Sequence, residues 1–186
     1  PEVAAFVAEQ SPGKRAKAVD ALIASPAFIR HQARELDWHL TRDKNSPLVP
    51  YLTRALTEKR GWDRIFRELM LANEADPATK GTAVYLKQKV RDLDRLTNDV
   101  SVAFFGANIS CAQCHDHPLV AAWKQDHFFG LKSFFSRTFE VGEFLAERDY
   151  GVVRFLPNKG KEKQAEFMFL TGAKIAPPGA AEPTKD

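Results

Sequence analysis

The eight residues Cys111-Ala112-Gln113-Cys114-His115-Asp116-His117-Pro118 contain both cysteines of the chain and two of its five histidines. Two cysteines three positions apart close so small a ring that a disulfide between them gains little from loop entropy. The pair therefore points to haem, metal or thiol redox chemistry. Cys-x-x-Cys-His is the spacing by which a c-type haem is attached. Two thiols add across the two vinyl groups of the porphyrin, and the imidazole that follows becomes the proximal iron ligand. In helical backbone, positions i, i+3 and i+4 share one face. Cys111, Cys114 and His115 can then all reach one side of a flat ring.

The segments before this motif carry helical periodicity. Residues 3–10 form a short helix, broken at Ser11-Pro12-Gly13, and helical spacing resumes at Ala16, Val19, Leu22 and Ile23. Ser25-Pro26 is a helix start, with serine as N-cap and proline at the first helical position. The helix it opens carries Ile29, Ala33, Leu36 and Leu40 on one face, with His39 at the border and His31 on the charged side. A loop at Asn45-Ser46-Pro47 and Pro50 leads to a helix through Leu52 and Leu56. Arg60-Gly61 interrupts it before an amphipathic segment marked by Trp62, Ile65, Phe66, Leu69 and Met70. Residues 85–96 read as a charged helix. Another is expected to start at Asn98, run to Phe105 and be capped by Gly106.

Downstream, Pro118 ends the short helix of the motif, and residues 126–137 form a helix with Phe128, Leu131, Phe134 and Phe135 inward. Residues 138–145, 150–157 and 166–170 read as short strands of a small antiparallel sheet. The expected fold is thus mainly α: a helical domain over residues 1–137 around the motif, a β appendage of the same domain over 138–174, and a linker-like tail over 175–186. The start at Pro1, without a methionine, is that of a processed or excised chain. A hydrophobic content of 44% and a charged content of 27% are those of an ordinary globular protein. No apolar run reaches the roughly 18–20 residues of a membrane span. The formal charge of +3 is spread among interleaved acids and bases, which is a solvated helix surface and not a nucleic-acid footprint. A mildly basic surface around a redox centre would steer acidic partners.

The motif with its flanks, Phe104-Phe105-Gly106 before it and Trp123-Lys124-Gln125-Asp126, Phe128-Phe129-Gly130-Leu131 and Phe134-Phe135 after it, resembles the planctomycete domain of unknown function fifteen forty-nine. The resemblance extends from about residue 15 to about residue 170. It implies an exported, periplasmic protein found beside cytochrome c modules, often as part of a longer polypeptide, so that the Pro-rich tail would lead to a neighbouring domain. It implies little about activity.

Three chemistries fit the motif. In the first, Cys111 and Cys114 bind haem c through thioethers and His115 ligates the iron. In the second, Cys111, Cys114, His115 and His117 or another histidine hold zinc, although adjacent ligands at 114 and 115 are awkward for a tetrahedral site. In the third, the cysteines form a thiol–disulfide centre, but the strand–helix alternation of a thioredoxin is missing. For a second iron ligand the candidates are His117, His127 and His39, with Met70 and Met168 as thioether alternatives. His117 lies roughly 200° from His115 around a helix, so reaching the same iron requires the break that Pro118 permits. Trp123, Phe128, Phe129, Phe134, Phe135 and Phe139 either wall a porphyrin or form core. No Ser/His/Asp set, phosphate loop or carboxylate pair marks an enzyme. The expected function is a covalent c-type haem-binding module for electron transfer in the cell envelope, working with a redox partner protein or a neighbouring domain. The alternative is a structural or binding module that holds zinc.

Overall fold

Ser25 and Pro26 set the direction of the longest helix. The Ser25 hydroxyl accepts the Phe28 N–H at 3.2 Å, as an N-cap does. The computed structural model describes residues 2–43 and 46–176. The helices there are α1 (Glu2–Ala8), α2 (Lys14–Ile23), α3 (Pro26–Thr41), α4 (Val49–Thr57), α5 (Trp62–Leu71), α6 (Ala83–Lys87), α7 (Leu93–Phe105) and α8 (Gln125–Ser133). A 3₁₀ helix, Ser110–Gln113, carries the first part of the cysteine motif. The fold is mainly α with a small β appendage, as the periodicity indicated. Asn45, part of the expected loop, lies outside the described residues.

The core is made where the apolar stripes of α3 to α8 meet. Leu52, Leu69, Tyr85, Leu96, Val100, Ile109 and Phe128 are all fully buried within it. Each side chain of this size contributes roughly 1.5–3 kcal/mol by leaving water. No residue of α1 or α2 is buried, so the core that supports the motif begins at α3.

Between α6 and α7 the chain departs from the periodicity reading. The expected helix over residues 85–96 breaks after Lys87, and Asn98 is not a start signal but an interior residue of α7. The reason is local. Asp92 accepts the Arg95 N–H at 3.0 Å and caps α7, while Lys89 is buried against Asp99. The C-terminal end follows expectation: Gly106 adopts φ 65°, the left-handed conformation that glycine takes without strain.

The appendage is three separate hairpins instead of one sheet. Residues 138–145, expected as one strand, fold back on themselves as β1 (Thr138–Val141) and β2 (Phe144–Glu147), with Val141 paired to Phe144. In the next stretch β3 (Arg154–Phe155) pairs with β4 (Lys163–Gln164), and β5 (Phe167–Met168) with β6 (Lys174–Ile175). Phe129 of α8 and Phe134 at its C-cap hold the last two. Phe129 stacks on Phe155 at 4.1 Å between ring centres, and Phe134 stacks on Phe169 at 4.8 Å. Gly130 is required here, because a Cβ would lie 2.7 Å from the Met168 Cβ. Ile175 belongs to β6, so the expected linker starts after it. Its residues 177–186 lie outside the described residues.

Among the described residues, several buried side-chain atoms lack a hydrogen-bond partner, and one of them lies in the apolar core. The Tyr85 hydroxyl is buried and makes no hydrogen bond among the described residues, and burial pushes its pKa up. A polar atom left unsatisfied in the interior costs stability. Tyr85→Phe should therefore leave the unfolding free energy unchanged or raise it by up to about 1 kcal/mol. Urea denaturation measures this, and a loss of stability would show that the hydroxyl has a partner.

Candidate functional site

The approach to the motif is fixed by an alternation in which Ala107, Ile109 and Ala112 point into the core while Asn108, Ser110 and Cys111 face out. Asn108 Oδ1 accepts the Ser110 N–H at 3.1 Å and the Ser110 hydroxyl at 2.8 Å. That Asx turn starts the 3₁₀ helix. The Cys111 carbonyl then accepts both the Cys114 N–H, at 3.3 Å, and the His115 N–H, at 3.2 Å. This single turn of mixed 3₁₀ and α character stands where a short helix running up to Pro118 was expected. It keeps Cys111, Cys114 and His115 within one turn, with Ala112 buried beneath. Both cysteines are free and exposed.

The histidines differ in which nitrogen is available. His115 Nδ1 lies 2.7 Å from the Asp116 carbonyl oxygen. A carbonyl has no proton to give, so Nδ1 must carry the hydrogen and donate it. The lone pair then sits on Nε2, which has no partner among the described residues. This is the tautomer that a metal-binding imidazole needs, with the other nitrogen fixed by a carbonyl. His117 has the opposite arrangement. Its Nδ1 accepts the Leu119 and Val120 N–H groups at 3.2 and 3.0 Å, so its Nε2 carries the hydrogen and donates to the Asn108 carbonyl at 3.2 Å. Both ring nitrogens are used by the backbone. In this arrangement His117 is a brace across the loop and offers no lone pair to a metal. Its main chain adds a further tie, since the His117 N–H donates to the Trp123 carbonyl at 2.9 Å, and the two rings meet edge to face.

His127 is also engaged, because its Nδ1 accepts the Lys124 N–H at 3.1 Å. His39 is exposed on α3 and lines a different groove, of about 530 Å³, together with Trp62, Arg95 and Val102. No motif residue lines that groove. Met168 is buried, and Met70 packs against the core. Phe128 and Phe135 are core, while Phe129 and Phe134 hold the hairpins. Among the described residues, no three His, Cys, Asp or Glu side chains converge so as to hold a metal ion.

Two residues that the sequence reading named only as flanks of the motif, without a role, shape the site. Gln125, 7% exposed, donates from Nε2 to the Gln113 carbonyl at 3.3 Å and accepts the Asn158 N–H on Oε1 at 3.0 Å. It thereby ties the motif to the loop between β3 and β4. Lys124 forms a 2.9 Å ion pair with Asp116. Nothing in their spacing distinguishes them from ordinary surface polar residues at the start of a helix. Next to His115, an open cavity of about 590 Å³ is lined by His115, Asp116, Gln125, Asp126, residues 157–161 and Lys163.

The family described as PSCyt2, protein of unknown function (DUF1549), matches residues 1–140, and the chain belongs to that family. The match includes every described helix and ends within β1, short of the limit near residue 170 that the motif flanks suggested. No curated protein and no solved structure matches the chain.

Two outcomes test this geometry. The hydrogen bond from Lys124 holds the Asp116 carboxyl below its usual value of 3.8, aided by the lysine charge and by the Gln125 N–H and opposed by desolvation. A depressed carboxylate adds stability above the unfolded pKa and loses it as pH falls through the folded one. Lys124→Gln should return Asp116 toward 3.8 in a carbon NMR titration; an unmoved titration would contradict the pairing. His117→Ala should cost about 1–2 kcal/mol and speed hydrogen exchange at the Leu119 and Val120 amides. Unchanged exchange there would show that the imidazole is not the brace.

Proposed function

We propose that Cys111, Cys114 and His115 form the attachment site of a covalent c-type haem, and that the protein is an electron-transfer module of the cell envelope. The observation that carries this reading is the contrast among the histidines. Of the three near the motif, His115 alone has its Nδ1 proton directed to a carbonyl and its Nε2 lone pair free. The residues fit the group in two further ways. Both thiols are exposed and unpaired, as thioether formation needs, and they stand on the same turn as the imidazole.

A haem held there supplies a one-electron iron couple. The chain's own part is to orient the proximal imidazole through the Asp116 carbonyl, to hold the turn rigid through Ala112 and Ile109, and to set local charge. The zinc alternative has less support. A tetrahedral site needs four converging ligands, and the fourth candidate, His117, is bonded to backbone on both nitrogens. The opposite side of the iron has no equally supported ligand, because His127 accepts through Nδ1 and His39 sits in another groove. An open position there would favour binding of a small ligand. The exported, periplasmic setting and a redox partner or neighbouring domain belong to this proposal through the motif's resemblance. No described helix is long and apolar enough to cross a membrane.

The protein made with haem-maturation machinery should be red and keep its Soret band through acid–acetone extraction. Changing Cys111 and Cys114 together to alanine should abolish the extraction-resistant band. Colour that survives denaturation in that variant would show that the attachment site lies elsewhere, and a colourless wild-type protein with one zinc per chain would favour the alternative.

A further inference from the structure

The cavity beside His115 has a charge balance that the attachment motif does not use. Two carboxylates line it, and each already has a lysine: Asp116 with Lys124 at 2.9 Å and Asp126 with Lys163 at 2.6 Å. Lys159 and Lys161 line it as well, both exposed and without a carboxylate partner among the described residues. With the two pairs cancelling, the lining keeps two unspent positive charges. They sit on the loop between β3 and β4, which is held in place. Phe155 at its base stacks on Phe129 of α8, and the Asn158 N–H near its tip is taken by the buried Gln125, which also grips Gln113 of the motif. The backbone that carries the two lysines is thus tied to α8 by Phe129 and to the motif by Gln125. The cavity measures about 590 Å³, and apart from Pro157 and Gly160 its lining is polar or charged, which suits the anionic edge of a ligand.

We infer that Lys159 and Lys161 bind the two propionate carboxylates of the haem, so that the 157–161 loop clamps the anionic edge of the ring while Cys111 and Cys114 hold the thioether edge. This rests on the haem reading of the same site. Two unpaired cations match two carboxylates in charge, and neither cysteine lines this cavity whereas His115 does. A lysine–carboxylate hydrogen bond is of the stronger, charge-assisted kind. An acidic protein surface docking on the same lysines is the competing role, but a concave site with a metal-ready imidazole in its lining suits a small anionic group better than a flat partner.

The test compares amine acetylation, mapped by mass spectrometry, in the haem-loaded protein and in the same protein made without haem. Lys159 and Lys161 should react more slowly by roughly tenfold or more when haem is attached, the factor expected of one charge-assisted hydrogen bond. Lys17 on α2 and Lys80, both exposed and outside the cavity, should not change. A second measurement does not depend on the fold of the haem-free chain. In the loaded K159Q/K161Q variant the pH-dependent step of the midpoint potential should move up by about one pH unit, since cations beside a carboxylate lower its pKa. The other charged groups of the cavity, Asp116 with Lys124 and Asp126 with Lys163, are the same in both proteins. Equal acetylation together with an unmoved step, with covalent haem present, overturns the clamp. So does a variant whose only change is slower, salt-dependent reduction by an acidic protein, which would assign the loop to docking. Wild-type protein without covalent haem overturns the reading beneath the clamp, and its absorption spectrum tells that failure apart.

Discussion

Three hydrogen bonds to one imidazole hold the site-bearing loop closed. His117 spans from the Asn108 carbonyl, before the cysteine turn, to the Leu119 and Val120 amides after it. The intervening segment is largely exposed and has few apolar contacts of its own to order it. Buried Ile109 and Ala112 fix one side of the turn, and His117 fixes the other. Because its ring is consumed in this way, His117 leaves the metal-ready tautomer to His115, whose proton goes to the neighbouring Asp116 carbonyl. Structure and chemistry are divided between two histidines two residues apart.

Around this loop, α8 joins the parts. Its first residue, Gln125, bridges the motif and the β3–β4 loop. Its middle residues Phe128 and Leu131 enter the core, while Phe129 and the C-cap residue Phe134 receive the last two hairpins. The appendage therefore does more than cover a helix end: it places Lys159 and Lys161, which have no carboxylate partner among the described residues, in the lining of the cavity that His115 also lines. None of its strands is long enough to be stable alone, since an isolated hairpin is marginal in water. Aromatic stacking on Phe129 and Phe134 holds the last two hairpins.

Helix content was legible in the sequence because the apolar stripes of α3 to α5 and the caps Ser25 and Gly106 are local signals. The split between α6 and α7 was not. Residues 85–96 keep a helical apolar period straight through the turn, and only the capping bond of Asp92 and the burial of Lys89 decide against it. The hairpins were misread for a related reason, because short apolar runs do not reveal where a chain reverses. The site divides along the same line. Spacing alone brings Cys111, Cys114 and His115 together. The opposite uses of His115, His117 and His127 depend on which carbonyl or amide faces each ring, and Gln125 matters only because two distant segments meet there. Such contacts leave no periodic trace in a sequence.

The central claim is that Cys111 and Cys114 carry a covalently bound haem beside a metal-ready His115. Intact mass spectrometry of the denatured wild-type protein, produced with haem-maturation machinery and followed by peptide mapping, tests it most directly. The account predicts a chain heavier by one haem, with the added mass on the peptide that contains both cysteines. An unmodified chain whose native form carries one zinc would contradict it.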